Sequence, residues 1–374
     1  MAEPVRARAL LVLLLALALC WAAPLAGLLA MGHSVSAYLS FPPLTVDVPQ
    51  AAFSWSVFVA LCLPVLATLK LYALAVARAR PRPFRPAVGK FPWWGWVGCA
   101  LIAIGWSLAW SRNLVPARWQ RQSFTLLWLG YILALNGLAQ RRDGRSLLAH
   151  RTRWFLLLFP ASACLWWLFE YLNQFVANWY YGGFRALGAW QYFLQATLPF
   201  STVLPAVAST WAWLAGVPRL DALALPALRG ARVLAWLALA TGACALLAIG
   251  LWPQALFPFL WLAPLLLLAG LQQLLLGETL FAPLAGGDWR PLLQPALAGL
   301  VCGFFWELWN YGSLAKWHYS IPYVERFHVF EMPLLGYAGY LPFGLECALV
   351  MDLLARLVEH RRLWPLLGGP KVTA

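Results

Sequence analysis

Charge is what this chain has least of. Of its 374 residues only 11% are Asp, Glu, Lys or Arg, while 63% are hydrophobic, a balance that excludes an ordinary soluble domain. Period-two alternation of apolar and polar residues is also missing, which excludes a transmembrane barrel. There is no Gly-rich phosphate loop, Ser-His-Asp order, nucleotide fingerprint or nucleic-acid motif, so soluble-cofactor chemistry has no support and no cofactor is expected. The seven cysteines (Cys20, Cys62, Cys99, Cys164, Cys244, Cys302, Cys347) lie in apolar runs, without Cys-x-x-Cys spacing and without His beside them. They read as buried thiols.

What is present is a series of apolar blocks of about 20 residues, the length of a spanning helix. They fall near 9–30, 54–76, 93–111, 123–139, 154–172, 191–214, 233–251, 255–275, 292–310 and 329–355, which predicts an all-α polytopic membrane protein of about ten helices. The first block offers weak signal-cleavage sites after Trp21-Ala22-Ala23, yet it is long enough to span and reads as helix 1. The net charge of +14 sits in short loops, so topology explains it better than nucleic acid does. Arg78, Arg80, Arg82, Arg85 and Lys90 form a basic, Pro-rich linker, and most later Arg residues fall in alternate loops. The other loops hold only Arg112, Arg118, Arg121, Arg185, Lys316 and Arg326. The positive-inside rule then puts both termini in the cytoplasm, with a bacterial inner membrane as the expected home.

An internal repeat organises the chain. A shift of 137 residues lays Trp167-Leu-Phe-Glu170-Tyr-Leu-Asn173 on Phe304-Phe-Trp-Glu307-Leu-Trp-Asn310. Trp179-Tyr180-Tyr181 then meets Trp317-His318-Tyr319 after one inserted residue, and Leu204-Pro205 meets Leu341-Pro342. Upstream, Gly137-Leu-Ala-Gln140 with Gly144 and Leu147 meets Gly270-Leu-Gln-Gln273 with Gly277 and Leu280. The expected plan is residues 1–92 as two N-terminal helices and a linker, 93–232 as a first four-helix copy, and 233–374 as a second. Equal, even numbers of spans give the copies the same orientation, related by an axis along the membrane normal.

Ionisable groups at membrane depth are expensive and therefore suggest function. Glu170 with Asn173, and Glu307 with Asn310, share a helix face at i, i+3 and can address one ligand or each other. A carboxylic acid there is desolvated, and one held neutral is a proton donor. The plainer alternative is a helix-packing device used twice. Carboxylates are added only in the second copy, where Glu331 and Glu346 stand opposite Leu194 and Ser209, with Glu331-Met-Pro333 expected to begin the last helix. His318, His328 and Glu325 share an outer loop without paired ligand spacing, so no metal is expected, and Glu325-Arg326 reads as a solvated ion pair. Among 24 Trp residues, most suit interfacial belts. Trp166, Trp167, Trp306, Trp309 and Trp317 instead flank the polar motif, where with Tyr319 and His318 they can line a pocket and stabilise a cation.

The order of an acid on a helix, Trp317-x-Tyr319 in a short loop, Ile321-Pro322, then Phe330-Glu331-Met-Pro333 resembles the membrane lycopene cyclase domain of bacteria, archaea and fungi. The likeness covers the last two helices of each copy, and a single Glu331 stands where that family has paired acids. It implies a cofactor-independent cyclase or isomerase of an apolar isoprenoid. Glu307 or Glu331 would be the proton donor, Asn310 would orient the acid, and Trp and Tyr faces would stabilise the cation. Two other classes stay open. One is a transporter or channel, given a general look similar to proteins labelled mechanosensitive-channel-like. The other is a lipid-binding or structural membrane protein. The bilayer is the expected partner, an apolar lipid the expected ligand, and the oligomeric state is left open.

Overall fold

The computed structural model describes residues 2–80, 89–111, 115–182 and 187–364. Arg82, Arg85, Arg112, Arg185 and Lys371 lie outside them. The chain is an all-α polytopic membrane protein. Its helices are α1 (Ala2–Ala30), α2 (Trp55–Arg78), α3 (Trp93–Trp110), α4 (Ala117–Gln120), α5 (Ser123–Asp143), α6 (Leu147–His150), α7 (Thr152–Val176), α8 (Ala189–Phe200), α9 (Val203–Leu214), α10 (Ala231–Ile249), α11 (Phe259–Leu276), α12 (Arg290–Gly312) and α13 (Tyr340–Val358). Among the described residues four short strands complete it: β1 (Trp179–Tyr181), β2 (Trp317–Tyr319), β3 (His328–Val329) and β4 (Met332–Pro333). Among the described residues eight helices are long and apolar enough to cross a membrane: α1, α2, α3, α5, α7, α10, α11 and α12.

Two of the expected spans differ from what is found. The block 191–214 is broken between α8 and α9, because Pro199 has no amide hydrogen to continue the ladder. A break at this depth needs its freed groups satisfied, and Ser162 on α7 does so. Its hydroxyl donates to Phe200 O at 2.6 Å and accepts from Leu204 N at 3.0 Å. The last helix begins at Tyr340, eleven residues later than 329. The preceding stretch is a β3–β4 hairpin followed by a 3-10 turn over Leu334–Gly339. Glu331 therefore sits in the hairpin turn and does not open a helix. The cysteines also depart from expectation. Cys20, Cys302 and Cys347 are buried, but Cys99, Cys164 and Cys244 are exposed on outward helix faces.

Small residues bring the helices together as they do in other membrane bundles. A Cβ on Gly98 of α3 would lie 2.6 Å from Ala134 N on α5, and one on Gly270 of α11 would lie 2.8 Å from Ala235 O on α10. Backbone faces backbone at both crossings. The helices α5 and α11 also end alike. Gly144 (φ 69°) and Gly277 (φ 78°) adopt the left-handed conformation that terminates them. The side chains of Gln140 and Gln273 each donate to the carbonyl of that glycine at 2.8 Å.

Strand β1 pairs with β2 in antiparallel register, Trp179 with Tyr319, Tyr180 with His318 and Tyr181 with Trp317. Gly182 N to Lys316 O (2.8 Å) and Ser320 N to Asn178 O (2.9 Å) extend the ribbon by one bond at each end. That register is symmetric, so a local two-fold passes between Tyr180 and His318, whose rings stack at 5.5 Å. Helix α1 packs on α10, α11 and α13. Helix α2 is held mainly at its ends. Ser54 N and Tyr323 N bond across to Tyr323 O and Ala51 O, and the Tyr72 hydroxyl donates to Leu293 O at 2.6 Å.

Candidate functional site

Each Glu-Asn pair anchors the strand that follows its helix. At the end of α7, Asn173 Oδ1 accepts from Asn178 N (2.9 Å) and its amide donates to Trp179 O (2.7 Å). At the end of α12, Asn310 Oδ1 accepts from Trp317 N (3.0 Å) and its amide donates to Trp317 O (2.9 Å). The Asn310 side chain is therefore spent on backbone, and that of Asn173 on backbone and on Thr45 Oγ1 (3.0 Å). The expected role of Asn310 in orienting the acid falls instead to phenols.

The acids are held by aromatic donors. Glu170 Oε1 accepts from Trp166 Nε1 (2.9 Å), Trp179 Nε1 (3.0 Å) and Tyr181 OH (2.6 Å). Glu307 Oε1 accepts from Tyr319 OH (2.7 Å) and Tyr340 OH (2.5 Å), and Trp317 Nε1 donates to the Tyr319 oxygen at 2.8 Å. Burial first, and the neighbouring Glu307 second, push the Tyr319 phenol well above its ordinary range, so it remains a donor. In both acids the second oxygen, Oε2, is buried without a hydrogen-bond partner.

The two sets of donors differ for a steric reason. Trp166 stands where the second copy has Gly303, and Tyr340 stands where the first has Val203. A Cβ on Gly303 would lie 2.2 Å from the Tyr340 ring. The missing side chain on α12 thus makes room for a ring from α13. One acid is served by an indole on its own helix, the other by a phenol on the next.

These donors form the wall of a cavity of about 490 Å³, within the ordinary size of a small-molecule site. Trp166, Trp179, Tyr181, Trp317, Tyr319 and Tyr340 all line it, as do Trp261 and Trp306. Glu170 and Glu307 stand behind that wall. Helix α2 closes another side, from Leu61 to Tyr72, a run of about 16 Å at the helical rise. Its opposite face carries Leu63 and Leu66, 63% and 59% exposed. One helix thus separates the cavity from the lipid side.

The other sequence candidates lie away from this wall. Trp309 is buried against Trp128, Trp106 and Phe305. Trp167 donates to Thr197 Oγ1 at 3.0 Å and packs on Tyr192 and Phe193. Glu331 pairs with Lys316, and His318 Nδ1 lies 3.5 Å from its other oxygen. Glu346 is buried on α13 with neither oxygen partnered. Glu325 does not pair with Arg326. It binds His328 Nε2 (2.9 Å) and Ile321 N (2.9 Å), while the Arg326 guanidinium lies over the Phe53 ring at 4.3 Å. Among the described residues no cluster of three His, Cys, Asp or Glu could hold a metal ion.

Sequence reasoning passed over Tyr340, Tyr192, Trp261 and the whole α2 wall as cavity residues. For Tyr340 a signal was present in the mismatch of Gly303 with Trp166. For α2 there was none, since its apolar pattern is the same on both faces. Neither a family model, nor a curated protein, nor a solved structure matches the chain.

Proposed function

We propose that this integral membrane protein is a cofactor-independent isomerase or cyclase of an apolar isoprenoid lipid, the activity implied by its likeness to membrane lycopene cyclases. One observation carries the reading: a lipid-sized apolar cavity whose aromatic walls are hydrogen-bonded to two buried carboxyl groups. With one of these hydrogen bonds reversed, so that Glu307 in its acid form donates to the oxygen of Tyr340 or Tyr319, that phenol gives its own hydrogen to a carbon of a substrate double bond and takes the proton of Glu307 in its place. The indole and phenol faces of Trp306, Trp317 and Trp166 stabilise the resulting carbocation. Loss of a proton from a neighbouring carbon, after ring closure or directly, returns the acid and leaves an isomer. No atoms are gained or lost. The same reading places the protein in a bacterial inner membrane with both termini cytoplasmic.

A second reading is a lipid carrier without chemistry. It is favoured by the way Asn173 and Asn310 pin the β1–β2 ribbon and both acids spend their bonds on rings of the ribbon and of α7 and α13. The two are separated by mass spectrometry of apolar lipids from a bacterial host that accumulates linear isoprenoids. Wild type, Glu307→Gln and Tyr340→Phe are compared at equal expression. A new isomer or ring product with wild type, lost in Glu307→Gln, is expected. Full product formation by Glu307→Gln would remove the acid from the mechanism. A lipid retained by the purified protein with an unchanged profile would favour the carrier.

A further inference from the structure

Helix α2 is attached to the rest of the molecule at its two ends and crosses one side of the cavity between them. At the outer end the backbone holds it, through Ser54 N to Tyr323 O (3.0 Å) and Tyr323 N to Ala51 O (3.1 Å). At the inner end the Tyr72 hydroxyl donates to Leu293 O, and Ala75, the one buried residue of the helix, packs on Leu223, Leu225 and Leu293. Among the described elements only the 3-10 turn over Leu334–Gly339 packs extensively against α2. Between the anchors its inward stripe of Leu61, Pro64, Val65, Thr68 and Leu71 faces the cavity. The helix is also weakened there. Pro64 has no amide hydrogen for the carbonyl of Ala60, and the Thr68 hydroxyl donates to Pro64 O at 2.8 Å, a bond of the kind that bends helices. Pro264 on α11 and Pro295 on α12 make the same break but are buried, where neighbouring helices support the backbone. Pro64 is exposed, on a helix without that support.

We propose that α2 is a lateral gate: its middle, hinged at Pro64, swings away from the bundle while both ends stay attached, and an apolar lipid passes beneath it between the bilayer and the cavity. This rests on the reading of the cavity as a lipid site and adds the route by which lipid reaches it. Such a lipid is already dissolved in the hydrocarbon beyond Leu63 and Leu66 on the outward face of α2. Entry under the helix keeps its apolar surface out of water throughout. Opening also breaks little. Among the described residues no side chain from Leu61 to Leu71 is hydrogen-bonded to another element, and none of them is buried. Segments with so few buried contacts are the ones that open locally. When α2 is closed it shuts the cavity off from bulk lipid, as lids do in other sites.

The test follows all-trans retinol, a fluorescent isoprenoid that accepts energy from Trp, as it binds the purified full chain in detergent under stopped flow. Pro64→Ala restores the missing amide hydrogen and stiffens the hinge. It is expected to slow association and dissociation alike, each about tenfold, with Kd unchanged, because a gate sets the barrier and not the bound state. Pro160→Ala removes a proline from the interior of α7 that is also exposed but does not line the cavity. It is expected to leave both rates as they are. Wild-type rates in Pro64→Ala would overturn the gate and leave the lipid cavity standing. A changed Kd at an unchanged association rate would overturn it too, making Pro64 part of the wall only. Equal slowing by Pro160→Ala would overturn the assignment of the hinge to α2. Absence of retinol binding by the wild type would overturn the lipid reading of the cavity, and the gate with it.

Discussion

Gly303→Ala tests the compensation between the two acids. The added methyl group would lie 2.2 Å from Tyr340 Cδ2 and 2.4 Å from Cγ, against an ordinary carbon contact of about 3.5–4.0 Å. The ring must therefore move by more than about 1 Å. Its 2.5 Å bond to Glu307 cannot survive that shift. Overpacking of this kind costs about 1–3 kcal/mol, and a weakened buried bond adds about 1 kcal/mol. Alanine returns about 1 kcal/mol of helix propensity over glycine. The net expectation is a destabilisation of about 2 kcal/mol. Tyr340→Val, which installs the residue the first copy has at Val203, removes the obstacle. In that background Gly303→Ala should be neutral or stabilising by up to about 1 kcal/mol. The coupling between the two sites is then about 2–3 kcal/mol, at the high end for touching residues. Unfolding of the four proteins by SDS titration in a single detergent measures it. Additivity within about 0.5 kcal/mol would refute the steric argument.

Two further expectations concern the frame around the cavity. Asn310→Ala removes both bonds to the Trp317 backbone and should cost about 2–4 kcal/mol, with faster amide exchange at Trp317 and none of that change in α10 or α11; unaltered exchange at Trp317 would contradict the anchoring role. Arg356, 4% exposed, binds Asp352 at 2.7 Å and Glu278 at 3.3 Å, and Asp352 is fully buried. Arg356→Met removes the counter-charge of that carboxylate, although Gln272 Nε2 and Leu363 N still donate to it at 2.7 Å, and should destabilise by about 3 kcal/mol, whereas a change under about 1 kcal/mol in the same titration would show that the cluster is not held by charge.

The sequence made the spans legible wherever length and apolar content alone decide them, because a bilayer imposes both on a helix. It failed where a neighbour decides. The break after Phe200 has a local signal in Pro199, but the group that makes it tolerable at this depth, Ser162, is 38 residues away and invisible to any local pattern. The late start of α13 depends on the hairpin through Met332-Pro333, whose partner strand is too short to register as alternation. The acids and their asparagines were found because a costly group used twice at one spacing stands out in a Leu-rich chain. Their partners were only half found. Trp179, Tyr181, Trp317 and Tyr319 sit within the matched segments, but Tyr340 replaces Trp166 across a helix boundary.

That exchange bears on what each half contributes. Both hold a carboxyl group by one oxygen, use an Asn to pin the next strand, and set a Trp-x-Tyr or Trp-Tyr-Tyr segment against the other half about a local two-fold. A purely structural device would need nothing more, and the two halves could then face any filler. They face instead a shared open space, and there they stop matching. The first half offers Asn178 and Gln195 to it, while the second offers Met332 and Leu335 and ties Lys316 to Glu331. Buried amide oxygens left without donors cost stability, and a helix bundle held together by its glycine crossings gains nothing from them. Asn178 and Gln195 line a space that also holds Arg121 and the phenols, so the two halves differ in polarity where they face it.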